Sequence, residues 1–213
     1  MKFITSISVP VSWRRQYCGI FEAKHNGVIY YFLDNQYYFK RDGIYGHYDD
    51  AERFAFFARA AIEIIPAIDW KPDIIHCNDW QCALTPLYYS CYYATRPGFE
   101  NIKTVFTIHN IQYQGKYGVE LLNDVLGIAP EYNNLILYDG LVNFMKAGIE
   151  CSNKVTTVSP TYAREILDPW YSYGLDPLLN QRSWKLCGIL NGIDTELYNP
   201  ETDNMIWKYY SSE

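Results

Sequence analysis

The sequence predicts an α/β protein in which a parallel sheet is flanked by helices and a β-hairpin lies near the N-terminus. Three observations predict it. From residue 50 onward, short apolar runs alternate with segments of helical period, the pattern of consecutive βαβ units. Before that, two β-rich runs flank His25-Asn26-Gly27, and Asn-Gly between such runs is a hairpin signal. Hydrophobic residues make up 49% and charged residues 20% of the 213, which is ample for a packed core and unlike a disordered chain.

Taken in order, residues 3–9 alternate in polarity, and residues 18–23 and 28–33 form the arms of the hairpin. Residues 34–48 read as a polar, aromatic loop. Asp49, Asp50 and Glu52 place negative charge in a first helical turn, where the helix dipole favours it. Phe54, Phe57, Ala61 and Ile64 follow at helical spacing, and Pro66 ends the helix. Residues 73–77 are a short apolar run, read as a buried strand. Residues 79–93 read as a helix and 103–108 as the next strand. Residues 121–126 and 141–149 read as helical, and 154–158 as a strand. Ser159-Pro160 opens a further helix, with Ser as N-cap and Pro in the first turn. Residues 186–190 are the last strand, followed by Asn191-Gly192. This order implies a sheet covered on both faces. Residues 1–200 form the expected domain, and residues 201–213 a polar tail or linker.

Composition excludes several classes. The formal net charge is -6, with no basic cluster, which disfavours nucleic acid or an anionic membrane surface as partner. No apolar run approaches the ~20 residues a membrane helix needs. The start MKFITSISVPVSW lacks a signal-peptide pattern, so the expected location is the cytoplasm. Cysteines at 18, 77, 82, 91, 151 and 187 form no C-x-x-C pair and read as reduced structural thiols. The histidines at 25, 47, 76 and 109 lack carboxylate or Cys partners at ligand spacing, so no metal is expected. The dinucleotide fingerprint, the P-loop and the G-x-S-x-G elbow are all absent, which disfavours an α/β hydrolase and a P-loop NTPase, and no cofactor is expected. Aromatic content is 17%, with 21 Tyr. Tyr and Trp faces suit sugar rings, although a codon or lineage bias is the stronger explanation of the total.

In open parallel sheets ligands bind beyond the carboxyl ends of the strands. Here those ends carry Asn78-Asp79-Trp80, His109-Asn110, Ser159-Pro160 and Asn191-Gly192-Ile193-Asp194. Asp, Asn and His supply the mixed donors and acceptors that a polyhydroxylated ligand requires. Each has a plainer reading: Asp79 as a helix cap, Asn191-Gly192 as a turn, a lone His as structural, Ser159 as a cap. Convergence on one edge favours the functional reading.

Six segments carry a resemblance: DNQYYFKRDGIYG, DDAERFAFFARAA, KPDIIHCNDWQ, TVFTIHNIQYQG, KAGIECSNKVTTVSPTYAREI and YGLDPLLNQRSWKLCGILNGID. In this order, over roughly residues 28–200, the chain resembles the bacterial glycogen synthase and plant starch synthase family. The resemblance implies a retaining, metal-independent transfer of glucose from ADP-glucose to the non-reducing end of an α-1,4-glucan. It implies the GT-B architecture of two Rossmann-like domains across a cleft, of which this chain matches the N-terminal, acceptor-side half. His109 and Asp79 are the implied catalytic residues. Asn110, Asn191, Tyr45, Tyr113 and Gln114 are the implied substrate contacts, Tyr113 and Gln114 along the acceptor path.

Against that family the chain lacks an opening strand with a K-x-G-G-L loop and the whole C-terminal domain. Two expectations follow: no synthase activity of the chain alone, and self-association through an exposed sheet edge and cleft wall. A non-catalytic glucan-binding or interaction module is the alternative reading.

Overall fold

The structure is a computed structural model that describes residues 1–211. Strands β1 (Lys2–Val11), β2 (Arg14–His25) and β3 (Val28–Asp34) form an antiparallel sheet in that order. The β2–β3 turn is the expected one. His25 pairs with Val28, and Asn26 and Gly27 take φ of 49° and 79°, the left-handed pair that a two-residue type I′ turn requires. The β1–β2 turn at Ser12-Trp13 has no such signature. Ser12 sits at φ 50° and is held from a distance. Its hydroxyl donates to the Asn123 carbonyl, and Arg14 Nη2 donates to the Asp124 carbonyl at 2.8 Å.

The 34–48 segment is not wholly loop. Asn35 caps one helical turn, α1 (Gln36–Phe39), by accepting from Tyr38 N at 3.0 Å. Helix α2 (Asp50–Glu63) buries more than one stripe: Ala51, Phe54, Ala55, Phe56, Ala58, Ala60 and Ile62 are all buried, whereas Phe57 and Ala61 are only partly so. It packs against β1 on one side and a later helix on the other, and a helix covered on several sides needs apolar residues on several faces.

Next come β4 (Ile74–Asn78), α3 (Asp79–Cys82), α4 (Leu84–Tyr88) with a wide π-type turn at Tyr89–Tyr93, and β5 (Lys103–Ile108). A second antiparallel sheet, unforeseen from the sequence, joins β6 (Lys116–Tyr117), β7 (Leu137–Tyr138) and β8 (Leu141–Asn143) in the order β6-β8-β7. The expected helix over residues 141–149 is thereby corrected. Leu141 to Asn143 pair as a strand, and α5 (Phe144–Cys151) begins where Asn143 caps it by accepting from Lys146 N at 2.9 Å. Strand β9 (Lys154–Thr157), α6 (Pro160–Glu165), α7 (Asp176–Gln181) and β10 (Leu186–Gly188) complete the chain's regular elements. Ser159 caps α6 as expected, accepting from Tyr162 N at 2.8 Å.

Strands β10-β9-β5-β4 form the parallel sheet in that order, as the alternation predicts. Phe106, Ile108 and Val155 from its centre share one core with Leu84 and Leu87 of α4 and Phe144, Met145 and Ile149 of α5. Each such side chain contributes roughly 1.5–3 kcal/mol by leaving water. The expectation of a sheet covered on both faces does not hold at β4. Ile74, His76 and Asn78 alternate outward and are exposed, and β4 is an edge strand among the described residues. No helix among the described residues is long and apolar enough to cross a membrane.

Candidate active site

The carboxyl ends of β4, β5, β9 and β10 meet at one edge, and two cavities open there. The larger, about 450 Å³, is lined by Tyr45, Gly46, His47, Asp50, Asp79, Trp80, Gln81, Asn110, Tyr113 and Tyr117. The smaller, about 160 Å³, includes His76, Asn78, Thr107, His109, Thr156 and Asn191. The ends of β4 and β5 thus divide their residues: Asp79 and Asn110 face one cavity, Asn78 and His109 the other.

The partition between them is the loop after β5, and its geometry is set by Asp79. That residue sits at φ 56°, a left-handed conformation that is uncommon outside glycine. Asn78, which precedes the helix, makes no side-chain cap bond to it, and the bonds of the Asp79 carboxylate lie elsewhere. Its Oδ1 accepts from His109 N at 2.8 Å and from Asn110 N at 3.3 Å. The carboxylate thus holds the loop after β5 and not the helix end. The loop continues in the same way. Ile111 N donates to the Tyr162 hydroxyl at 3.3 Å, Gln112 N to Asn110 Oδ1 at 3.0 Å, and Tyr113 N to the Asn110 carbonyl at 3.4 Å. Five consecutive backbone N–H groups are therefore bound, which is how an exposed loop is held in one shape.

The His109 side chain is exposed, and Nε2 faces Asn78 Oδ1 at 3.0 Å. With the amide oxygen as acceptor, Nε2 carries the proton and donates. Below it a hydrogen-bonded row crosses three strands: His76 Nε2 to Thr107 Oγ1 and Thr107 Oγ1 to Thr156 Oγ1, each 2.6 Å.

Of the residues singled out from the sequence, Asp79, Asn110, Tyr45 and Tyr113 come together on the larger cavity, and His109 and Asn191 on the smaller. Gln114 joins neither. It is 3% exposed, its Oε1 accepts from Asn143 Nδ2 at 2.8 Å, and its Nε2 donates to the Tyr173 carbonyl at 3.1 Å. An amide with both ends engaged inside the protein braces the loop from behind.

Sequence reasoning missed the lip of the larger cavity. Asp49, Asp50 and Glu52 were assigned to the helix dipole, yet each has a specific partner. Arg41 binds Asp49 through both guanidinium nitrogens, Asp50 pairs with the buried Arg53, and Glu52 accepts from the Tyr38 hydroxyl. Burial pushes the Asp49 carboxyl up, but the hydrogen bonds and charge of Arg41 outweigh it and hold it below its ordinary value. The available signal was the pairing of Arg41 with Asp49 and Arg53 with Asp50 around an aromatic loop. Trp80 and Tyr117 were also missed as wall residues. Their rings lie 6.3 Å apart, and both pack near Phe144.

Comparison with known proteins places the chain in a family. The family profile described as "Starch synthase catalytic domain" matches residues 1–181. A glycogen synthase of Alkaliphilus metalliredigens is 50% identical over 100% of this chain and 45% of its own length. One from Exiguobacterium sibiricum is 49% identical over 99% of this chain and 44% of its own length. The solved catalytic domain of starch synthase IV from Arabidopsis thaliana, bound to ADP and acarbose, superposes with a TM-score of 0.84 at 36% identity, covering 97% of this chain and 43% of that one. The chain therefore spans a little under half the length of these relatives, and its α/β fold is one half of a GT-B architecture. With its strand-end loops, its parallel sheet and most of its length accounted for in one set of relatives, the chain belongs to the starch synthase catalytic domain family.

Proposed function

We propose that this chain supplies one wall of the active site of a retaining glucosyltransferase, which moves glucose from ADP-glucose to the non-reducing end of an α-1,4-glucan in the cytoplasm. The observation that carries the proposal is the His109–Asn110 loop, held by Asp79 between two cavities at the sheet's carboxyl edge. The curated relatives are named glycogen synthase, and the solved relative holds ADP and acarbose.

The chemistry follows from what the wall offers. The barrier is cleavage of the bond from the anomeric carbon to phosphate, and fixed dipoles near the oxocarbenium-like sugar lower it. His109 contributes one such dipole. Its Nε2 is committed to Asn78, which fits positioning of the sugar and not removal of a proton. In a front-face retaining transfer the departing phosphate takes the acceptor proton. Asn110, Tyr45 and Tyr113 border the space for glucose and acceptor, Asn191 borders the side of His109, and Asp79 shapes the loop between them. Gln114 enters as the brace of that loop. Charge for the leaving diphosphate has to come from the opposite wall, so the chain alone should not elongate glucan.

The test joins this chain to the remaining length of the Alkaliphilus relative and measures elongation of maltooligosaccharides. The hybrid should be active, and His109→Ala should lower kcat by about 10²–10³-fold, the usual loss for one preorganised group. An unchanged rate in the variant would sink the assignment. An inactive hybrid whose isolated chain still binds maltotriose would favour the binding-module reading.

A further inference from the structure

The lip of the larger cleft presents a polar atom that no described residue satisfies. Its backbone is held at three points. Arg53 Nη2 donates to the Ile44 carbonyl at 3.1 Å, Gly46 N to Asp50 Oδ2 at 2.6 Å, and Asp50 N to the His47 carbonyl at 3.1 Å. Arg53 is 1% exposed, and its other donors are committed to the Tyr38 carbonyl at 2.8 Å and to Asp50 Oδ1. A guanidinium with all three nitrogens engaged fixes the lip with the directionality of its planar fork.

His47 stands between these anchors and lines the cleft beside Tyr45, Asp50 and Asp79. Its Nε2 is shielded from water and has no hydrogen-bond partner. A shielded, unpaired nitrogen is costly, so its presence on a cleft wall calls for an explanation. The neighbouring polar groups do not supply one. Both Asp50 oxygens are taken by Arg53 and Gly46, Asp79 Oδ1 by the loop amides, and Asn110 Oδ1 by Gln112 N. Among the described residues no side-chain hydrogen bond holds the ring.

We infer that His47 is a substrate-contacting residue, whose Nε2 hydrogen-bonds a hydroxyl of the hexose unit in this cleft, and that the Asp50–Arg53 pair positions it. The inference rests on the glucosyltransferase reading of the cleft. A neutral imidazole offers one donor and one acceptor, the two capacities of a sugar hydroxyl.

The experiment titrates the 213-residue chain and three variants with maltotriose, following the Gly46 and Asn110 amide shifts by NMR and unfolding by urea. His47→Phe keeps the ring shape and removes the nitrogens. It should weaken binding at least tenfold while leaving the urea midpoint unchanged or higher. His47→Gln, whose amide reaches the position of Nε2, should stay within threefold of the parent. His47→Asn, which reaches only the position of Nδ1, should behave like His47→Phe. Equal binding by His47→Phe and the parent overturns the inference alone. So does an affinity loss matched by lost stability, or failure of His47→Gln to recover binding. A parent whose amide shifts do not respond to saturating maltotriose overturns the cleft reading and the inference together.

Discussion

At the residue scale, Asp79 shows how one carboxylate can hold a loop that lies 30 residues away in the sequence. Its left-handed backbone costs roughly 1–2 kcal/mol, and the bonds it makes to the His109 and Asn110 amides offset that. Asp79→Ala keeps the strain and deletes the acceptor, so it should lower stability by about 1–3 kcal/mol in urea unfolding. Asp79→Gly relieves the strain and should be milder in stability. Both should speed hydrogen exchange at His109 and Asn110 and leave the β5 amides unchanged, and protection of those two amides in either variant would refute the clamp. Asp79 and His109 were legible as a pair because strand ends followed by short polar residues are readable. Their mutual bond was not, because 30 residues separate them.

At the scale of elements, α5 ties the loop to the core. Asn143 caps the helix and also donates to Gln114, so one side chain serves both the element and the site. Asn143→Ala should cost about 1 kcal/mol or more through the lost cap. Gly148 faces β5 in the same helix, and a Cβ there would lie 2.9 Å from the Phe106 ring. Helix propensity alone would reward Gly148→Ala by about 1 kcal/mol. Overpacking against a buried aromatic costs about 1–3 kcal/mol, so the net change should be destabilising. A higher melting temperature for Gly148→Ala would show that β5 yields more easily than the packing implies. The end of α5 was readable from its apolar period, but its start was not. Leu141 and Val142 suit a strand or a helix, and only pairing with β6 and β7 decides between them.

For the whole molecule, the thiols report how the core responds to pH. Burial pushes Cys18 up to about 11, with Asp34 adding to it, and burial pushes Cys77 and Cys151 up to about 12. The folded state therefore holds these protons more tightly than the unfolded chain, whose thiols titrate near 8.5. Their contribution to stability is complete below that pH and is lost as pH rises from about 9 to 12. Urea midpoints should fall across that window. At pH 8 iodoacetamide should reach the exposed Cys187 first and spare Cys77 until the chain unfolds. Rapid native labelling of Cys77 would contradict the burial. A second prediction concerns association. Phe3, Val28, Tyr30 and Phe32 of the hairpin sheet are exposed, as is Ile74 on edge strand β4. Apolar surface beside unpaired strand edges favours self-association, so light scattering should rise with concentration. A sharp monomer at high concentration would remove that expectation.

Local sequence dictates the alternation of strands and helices, the Asn26-Gly27 hairpin, the Ser159 cap and the polar strand-end residues that line the two cavities. All of these depend on neighbours within a few positions, where period, turn chemistry and capping act. Tertiary contacts set which cavity Asn78, Asp79, His109 and Asn110 face, that Gln114 braces the loop, and that Asp50 and Arg53 hold the cleft's lip. They also decide that a third small sheet precedes α5. These depend on contacts between residues distant in sequence, whose hydrogen bonds exist only once the sheet brings its strand ends together.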